Sequence, residues 1–148
     1  MKDVVFLDTG PLGFLTNPSS KPLPVAIRQW LTNLLIAGRR VILPEIADYE
    51  IRREFIRAKL IRSLGRLDAL SRLIEYRPLD TPTMRIAANL WAQARTFGYQ
   101  TAPDLALDGD VILAAQALSL GVPAVVASGN WAHLSRYVPA QDWQTIIA

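Results

Sequence analysis

The sequence predicts an α/β domain in which a short parallel β-sheet is covered by helices on both faces. Three observations lead there. Wholly apolar runs of strand length occur at Val4 to Leu7, Val41 to Leu43 and Ala124 to Ala127. Stretches of helical period separate them, and each run stops at turn or helix-start residues. Runs that are apolar at every position, rather than at alternate ones, belong to strands buried on both sides, which is the habit of parallel sheets.

Each element has its own justification. Val4 to Leu7 is closed by Asp8-Thr9-Gly10-Pro11, a turn-forming sequence. Pro24 to Ala37 places Val25, Ile27, Leu31, Leu34 and Leu35 at helical spacing and ends at Gly38, a residue suited to a helix C-terminus. The second strand stops at Pro44, which fits the first turn of a helix running into the 60s, with a further helical stretch to about Ile74. Thr81-Pro82 reads as an N-cap and first-turn proline, opening a helix that closes near Gly98. Asp108 is placed to cap a helix from Gly109 through Ala117 to Gly121, and the third strand then ends at Ser128-Gly129-Asn130.

With 148 residues, 51% of them hydrophobic, and no repeat or linker-like shift in composition, one domain spanning 1–148 is expected. A net charge of +3 excludes an acidic tail or a strongly basic arm, so any electrostatic function must be local. The absence of cysteine excludes disulfide scaffolds, thiolate zinc and thiol nucleophiles. A single histidine, His133, excludes a histidine cage or a two-histidine relay and reads as a packed or surface residue. The start, MKDVVFLDTGPL, is too short an apolar run for a signal or a membrane span, so a soluble protein that stays in the cytoplasm is expected.

In an open parallel sheet, ligands bind beyond the carboxyl ends of the strands. Asp8 follows the first strand. Glu45, Asp48, Glu50 and Glu54 lie on the helix after the second, Ser128 and Asn130 follow the third, and Asp108 and Asp110 begin the helix that leads to it. Each has a structural alternative. Asp8 also suits a turn, and Asp108 looks more like a cap than a ligand, whereas Asp110 sits beside the packing residues Val111 to Leu113, where capping does not require it. Around the helix, Ala47, Ile51, Phe55 and Ala58 make the core stripe and Glu50 lies on its edge, with Glu54 beside Ala58 and Ile61. Two acids four residues apart beside a core need cations. Arg53 and Arg57 would serve as the structural answer and a metal ion as the functional one, with Glu54 the better candidate for an arginine.

Oxygen ligands without His or Cys select hard divalent cations, and Mg²⁺ needs only one or two carboxylates besides water and substrate phosphate. That donor set suits phosphodiester cleavage by a metal-activated water, which needs no Ser, Cys or His nucleophile. Residues 51–77 hold eight bases, Arg52, Arg53 and Arg57 among them, against three acids. Such a patch would bind a phosphate backbone with little sequence preference, or else be a solvated face or a docking surface for an acidic partner. The tryptophans at 30, 91, 131 and 143 read as core, and no phosphate-loop spacing surrounds Gly10 and Gly13.

Taken in order, VVFLDTGPLGFL, ILPEIADYEIRREF, LDGDVILAAQAL and AVVASGNWAHLSRY resemble, over nearly the whole chain, the PIN-domain ribonucleases, most closely the VapC-like toxin type. The resemblance implies a PIN-like α/β fold and an RNA-cleaving site around one or two Mg²⁺ or Mn²⁺ ions. Carried onto this chain, it implies Asp8, Glu50, Asp110 and Asn130 as the site, with Asp8, Glu50 and Asp110 on the metal. Thr9 and Ser128 take the supporting hydroxyl places. Asn130 stands where many members of the family have Asp, so at most three strong anionic ligands are implied unless Asp108 joins them. An antitoxin protein partner and a homodimer are implied too, with the apolar helices around Leu60 to Leu73 as the dimer surface.

The expectation is therefore a metal-dependent endoribonuclease, an RNA-cleaving toxin of a toxin–antitoxin pair. The alternative is a catalytically inert PIN-like scaffold that binds RNA or a protein partner through the 51–77 patch. A small-molecule phosphatase on the same carboxylates is the less favoured third reading, because so long a basic patch exceeds what a small ester needs.

Overall fold

The computed structural model describes residues 2–96 and 104–148, with side chains described from 108 onward in the second stretch. Five parallel strands form one sheet in the order β3-β2-β1-β4-β5. They are β1 (Val4–Leu7), β2 (Val41–Pro44), β3 (Glu75–Arg77), β4 (Ala124–Ala127) and β5 (Ala140–Gln141). The helices are α1 (Thr9–Thr16), α2 (Pro22–Ile36), α3 (Glu45–Arg57), α4 (Ile61–Leu73), α5 (Thr81–Thr96), α6 (Asp104–Leu118) and the short α7 (Trp131–Leu134). β1 is central and in register with β2 through Val5 and Val41, and with β4 through Val4 and Ala124.

Alternating side chains of these strands feed two cores. Val5, Leu7, Val41, Leu43, Val125 and Ala127 face α1 to α4, meeting Leu12, Ile27, Leu34, Ile51 and Leu67. Val4, Phe6, Ile42, Ala124 and Val126 face the other way and meet Leu113, Ala114, Ala117 and Leu134 of α6 and α7. A fully buried Phe or Leu contributes about 1.5–3 kcal/mol relative to an exposed one, so β1, whose four residues are all buried, anchors both layers. The predicted α/β sandwich with a parallel sheet is what the chain builds.

Several boundaries differ from the sequence reading. Asp8-Thr9-Gly10-Pro11 is a helix start rather than a turn. Asp8 caps α1 by accepting from the Thr9 N–H at 2.7 Å, and Pro11 is harmless in a first turn whose N–H groups have no helical partner. Pro44 closes β2 and precedes α3 instead of entering it. α3 ends at Arg57, where Lys59 takes a left-handed φ of 57° and the Leu60 N–H returns to the Phe55 carbonyl at 2.9 Å. Gly38 closes α2 in the same way at φ 77°, as expected of it. The cap of α5 is Asp80, which accepts from Thr83 N–H at 2.9 Å, and not Thr81. Its expected close at Gly98 lies outside the described residues. α6 begins at Asp104, so Asp108 and Asp110 lie inside a helix that they were expected to open.

Two polar contacts tie the layers together. The fully buried Gln116 of α6 accepts from the Ile46 N–H at 3.1 Å and donates to the Arg77 carbonyl at 2.8 Å, locking α6 to the start of α3 and the end of β3. On the opposite layer Trp30 and Trp143 meet edge to face at 5.6 Å, and the Trp30 indole donates to the Ile146 carbonyl. These two tryptophans pack as expected, whereas Trp91 and Trp131 are 37% and 48% exposed. Among the described residues no helix is long and apolar enough to cross a membrane.

Candidate active site

The strand order reverses at β1, with β2 on one side and β4 on the other, so the crevice beyond their carboxyl ends is where an open parallel sheet binds ligands. Asp8, the residue after β1, stands there. Its Oδ1 accepts from the Thr9 N–H at 2.7 Å and is 3.4 Å from the Thr9 hydroxyl, while Oδ2 accepts from the Ser128 hydroxyl at 2.6 Å. Ser128, the buried residue after β4, in turn accepts from the Asn130 N–H at 2.8 Å. A chain of hydrogen bonds thus runs from the end of β4 to the end of β1 and holds the Asp8 carboxylate in one orientation. The Thr9 and Ser128 hydroxyls, which the resemblance implied as supporting groups, both stand at the Asp8 carboxylate.

Glu50 and Asp110 reach the same place from α3 and α6. Glu50 is half-buried on the edge of the stripe made by Ala47, Ile51 and Phe55, as helical arithmetic required. Burial first, and then the negative charges of Asp8 and Asp110, push its carboxyl above the ordinary carboxylate range, with Arg53 opposing. Asp110, also half-buried, is pushed up to about 6 by burial and by the charge of Asp8, with His133 opposing. Three acids from separate segments therefore lie within electrostatic reach of one another, beside a low-dielectric core that makes their repulsion costly.

Other acids on the same elements are already engaged. Asp48 is buried and bound by Arg52 at 2.9 Å and by the Tyr76 hydroxyl at 2.6 Å. Glu45 accepts from the Leu79 N–H at 2.8 Å. Glu54, expected beside the core, is exposed and pairs with Arg57 at 2.8 Å. Asp108 lies about 200° around α6 from Asp110, given 100° per residue, and lines a groove with Met84, Ala87, Trp91, Val111 and Ile112. Its charge is not among those that shift Glu50 or Asp110.

The arginines divide. Arg52 bridges Asp48 and Asp68, at 2.9 and 2.8 Å, and its guanidinium is spent on joining α3 to α4. Arg53 is exposed, lies over the Tyr49 ring at 5.0 Å, and bears electrostatically on Glu50. Arg57 is exposed beside Glu54. Sequence reasoning missed two residues. His133 follows Asn130 by one short turn of α7 and acts electrostatically on Asp110, a relation that no spacing rule anticipates. Gly109 lies directly against the Glu50 carboxylate.

The donor chemistry fits a hard divalent cation: carboxylate oxygens, half-buried, and strained by like charge. Among the described residues no three acidic or histidine side chains close into a ready-made cage. Mg²⁺ in general takes only one or two carboxylates directly and keeps several waters. Asn130, exposed at the start of α7 and with no side-chain capping bond, completes the rim with a neutral amide.

The chain is similar in fold to solved VapBC structures. A chain of VapBC2 from Rickettsia felis, solved bound to a DNA fragment from its promoter, superposes with a TM-score of 0.72 at 14% identity, covering 95% of this chain and 98% of that one. A chain of VapBC-1 from nontypeable Haemophilus influenzae gives 0.71 at 19% identity, over 96% and 99%. A chain of DNA-bound VapBC from Salmonella typhimurium gives 0.69 at 20% identity, again over 96% and 99%. No protein-family model matches the chain, and no curated protein sequence matches it significantly. The PIN-like fold implied by the sequence resemblance is the fold that the chain adopts.

Proposed function

We propose that the protein is a metal-dependent endoribonuclease, the toxin of a VapC-like toxin–antitoxin pair, with Asp8, Glu50 and Asp110 as the ligands of Mg²⁺ or Mn²⁺. One observation carries the reading: Asp8, Glu50 and Asp110 lie within electrostatic reach of one another at the switch point of the sheet, where burial first and then the neighbouring acids raise the pKa values of Glu50 and Asp110. Glu50 and Asp110 carry their charge there against burial and against the charge of Asp8, a cost that a bound cation would offset. The structural likeness to VapBC chains supports the toxin assignment.

A bound divalent ion would supply Lewis acidity to the scissile phosphate and a water acidified enough to attack at neutral pH. The chain's own residues supply the rest. Ser128 and the Thr9 N–H fix the Asp8 carboxylate, so that its free lone pairs face the crevice. Glu50 and Asp110, raised by burial and by neighbouring acids, would help to hold the ion's water and to receive its proton. Asn130 offers an amide to orient water or a phosphate oxygen without adding charge. Arg53 and Arg57 lie on the α3 surface leading from the site and would steer the RNA backbone, whereas Arg52 is withdrawn into its bridge.

A homodimer is part of the same proposal. Ile56, Leu60, Ile61 and Leu73, 60%, 47%, 79% and 67% exposed around α3 and α4, would be its contact residues.

Asp8→Asn keeps the shape and one acceptor oxygen for the Thr9 N–H, reverses or loses the Ser128 bond, and removes the ligand charge. It should fold normally and lose Mn²⁺-dependent RNA cleavage, and a purified variant that cleaves at the wild-type rate would refute the assignment. The neutral Asn130 favours a second reading, an inert scaffold that binds RNA. It predicts salt-sensitive RNA binding with neither cleavage nor a saturable Mn²⁺ isotherm.

A further inference from the structure

Gly109 is a poor choice for its position on local grounds. It lies in the interior of the fifteen-residue α6, where glycine costs more conformational entropy than any other residue and alanine would be preferred. Its φ is not among the positive values of this chain, so the backbone conformation there does not call for glycine. What requires it is outside the helix. A Cβ at 109 would meet Glu50 Oε2 at 3.0 Å, Oε1 at 3.3 Å and Cδ at 3.4 Å, so all three atoms of the carboxylate rest against the bare α carbon. Gly65, inside α4, makes the contrast, because a Cβ there would meet nothing within 4 Å.

We propose that Gly109 is a positioning residue: the space left by its missing side chain seats the Glu50 carboxylate against α6 and thereby sets where it stands relative to Asp8 and Asp110. The inference rests on the metal-site reading above and extends it to a residue that touches neither the metal nor the substrate. A methyl group at 109 would push the carboxylate away by a few tenths of an ångström and so change its position relative to the other two acids. Because the Glu50 side chain is flexible, the helix itself would accept the change.

The consequence is a dissociation between stability and metal binding that a merely structural glycine would not show. Gly109→Ala, assayed in the full chain by calorimetric Mn²⁺ titration, should weaken binding roughly tenfold or more, the usual cost of disturbing what holds a ligand. Its metal-free melting temperature should stay level or rise by a few degrees, as helix propensity dictates. Gly65→Ala should raise the melting temperature similarly and leave Mn²⁺ affinity unchanged. In a Glu50→Gln background, Gly109→Ala should cost no further affinity, because it acts only through that carboxylate.

Equal Mn²⁺ affinity of wild type and Gly109→Ala overturns this inference alone. So does an equal loss in the Glu50→Gln background, or a Gly109→Ala chain that fails to fold. A wild type that takes up no Mn²⁺ overturns the metal-site reading, and this inference with it.

Discussion

The Ser128 hydroxyl donates to Asp8 Oδ2 at 2.6 Å across 120 positions of sequence, joining the ends of the two central neighbouring strands, β4 and β1. Ser128 is 1% exposed, so its hydroxyl cannot turn to water for a replacement. The bond is both a staple of the sheet and the device that aims the first acid of the site.

Ser128→Ala should therefore reduce stability and metal affinity together. It removes the donor to Asp8 Oδ2 and the acceptor of the Asn130 N–H, a loss of about 1–2 kcal/mol because water can reach both groups. Thermal melting and Mn²⁺ titration of the variant check both, and an unchanged Mn²⁺ affinity would show that the orientation of Asp8 does not matter.

Asp110 gives the fold a pH dependence. Held at about 6 in the folded chain, against about 3.9 for an unfolded Asp, it binds its proton more tightly when folded, so protonation favours folding. The contribution is fully present below about pH 4, is lost as pH rises through 6, and is absent at neutrality. Glu50, raised for the same reasons, acts with the same sign. In chelator, Asp110→Asn should stabilise the chain at pH 7.5 by on the order of 1 kcal/mol, after solvent screening of a half-exposed group, and by little near pH 4. Mn²⁺ should raise the melting temperature of wild type more than that of the variant. Melting curves from pH 4 to 8 decide it, and a variant less stable than wild type at pH 7.5 would contradict the repulsion described.

The arginines of α3 should separate into two kinds. Arg52→Ala strips the buried Asp48 of its guanidinium and unties α4, at a cost of about 1–3 kcal/mol, with little change in RNA affinity. Arg53→Ala and Arg57→Ala should leave melting nearly unchanged while weakening RNA binding and lowering its salt slope by roughly one for each phosphate no longer neutralised. Filter binding across a salt series distinguishes them, and a flat result for both exposed arginines would move the RNA path elsewhere.

Ile61, the most exposed apolar side chain of the α3–α4 surface, tests the dimer. Ile61→Asp should leave the monomer's stability within about 0.5 kcal/mol, as surface changes usually do, and shift the mass seen by light scattering from dimer to monomer. An unchanged dimer places the contact on another face.

Much of this was legible because burial writes itself into local composition. β1, β2 and β4 are apolar at every residue since both faces are covered, and a run of that kind is readable without any partner in view. β3, an edge strand reading Glu-Tyr-Arg, and β5, of two residues, have no such signature. α1 is hidden by residues that serve turns and helix starts equally well. Glu50 stands out by helical arithmetic, because an acid beside a core stripe is costly wherever the helix packs.

What the sequence determined by itself was the parallel sheet, the layers on its two faces, and the acids flanking its carboxyl edge, since each follows from the period and burial of one segment. Only the tertiary structure decided how the polar side chains were shared out: Arg52 to Asp48 and Asp68, Asp108 to a groove beside Trp91, and Gly109 to the Glu50 carboxylate. Those choices depend on how helices are rotated and spaced against one another, and approaches of about three ångströms are fixed by packing across the core, which no local pattern records.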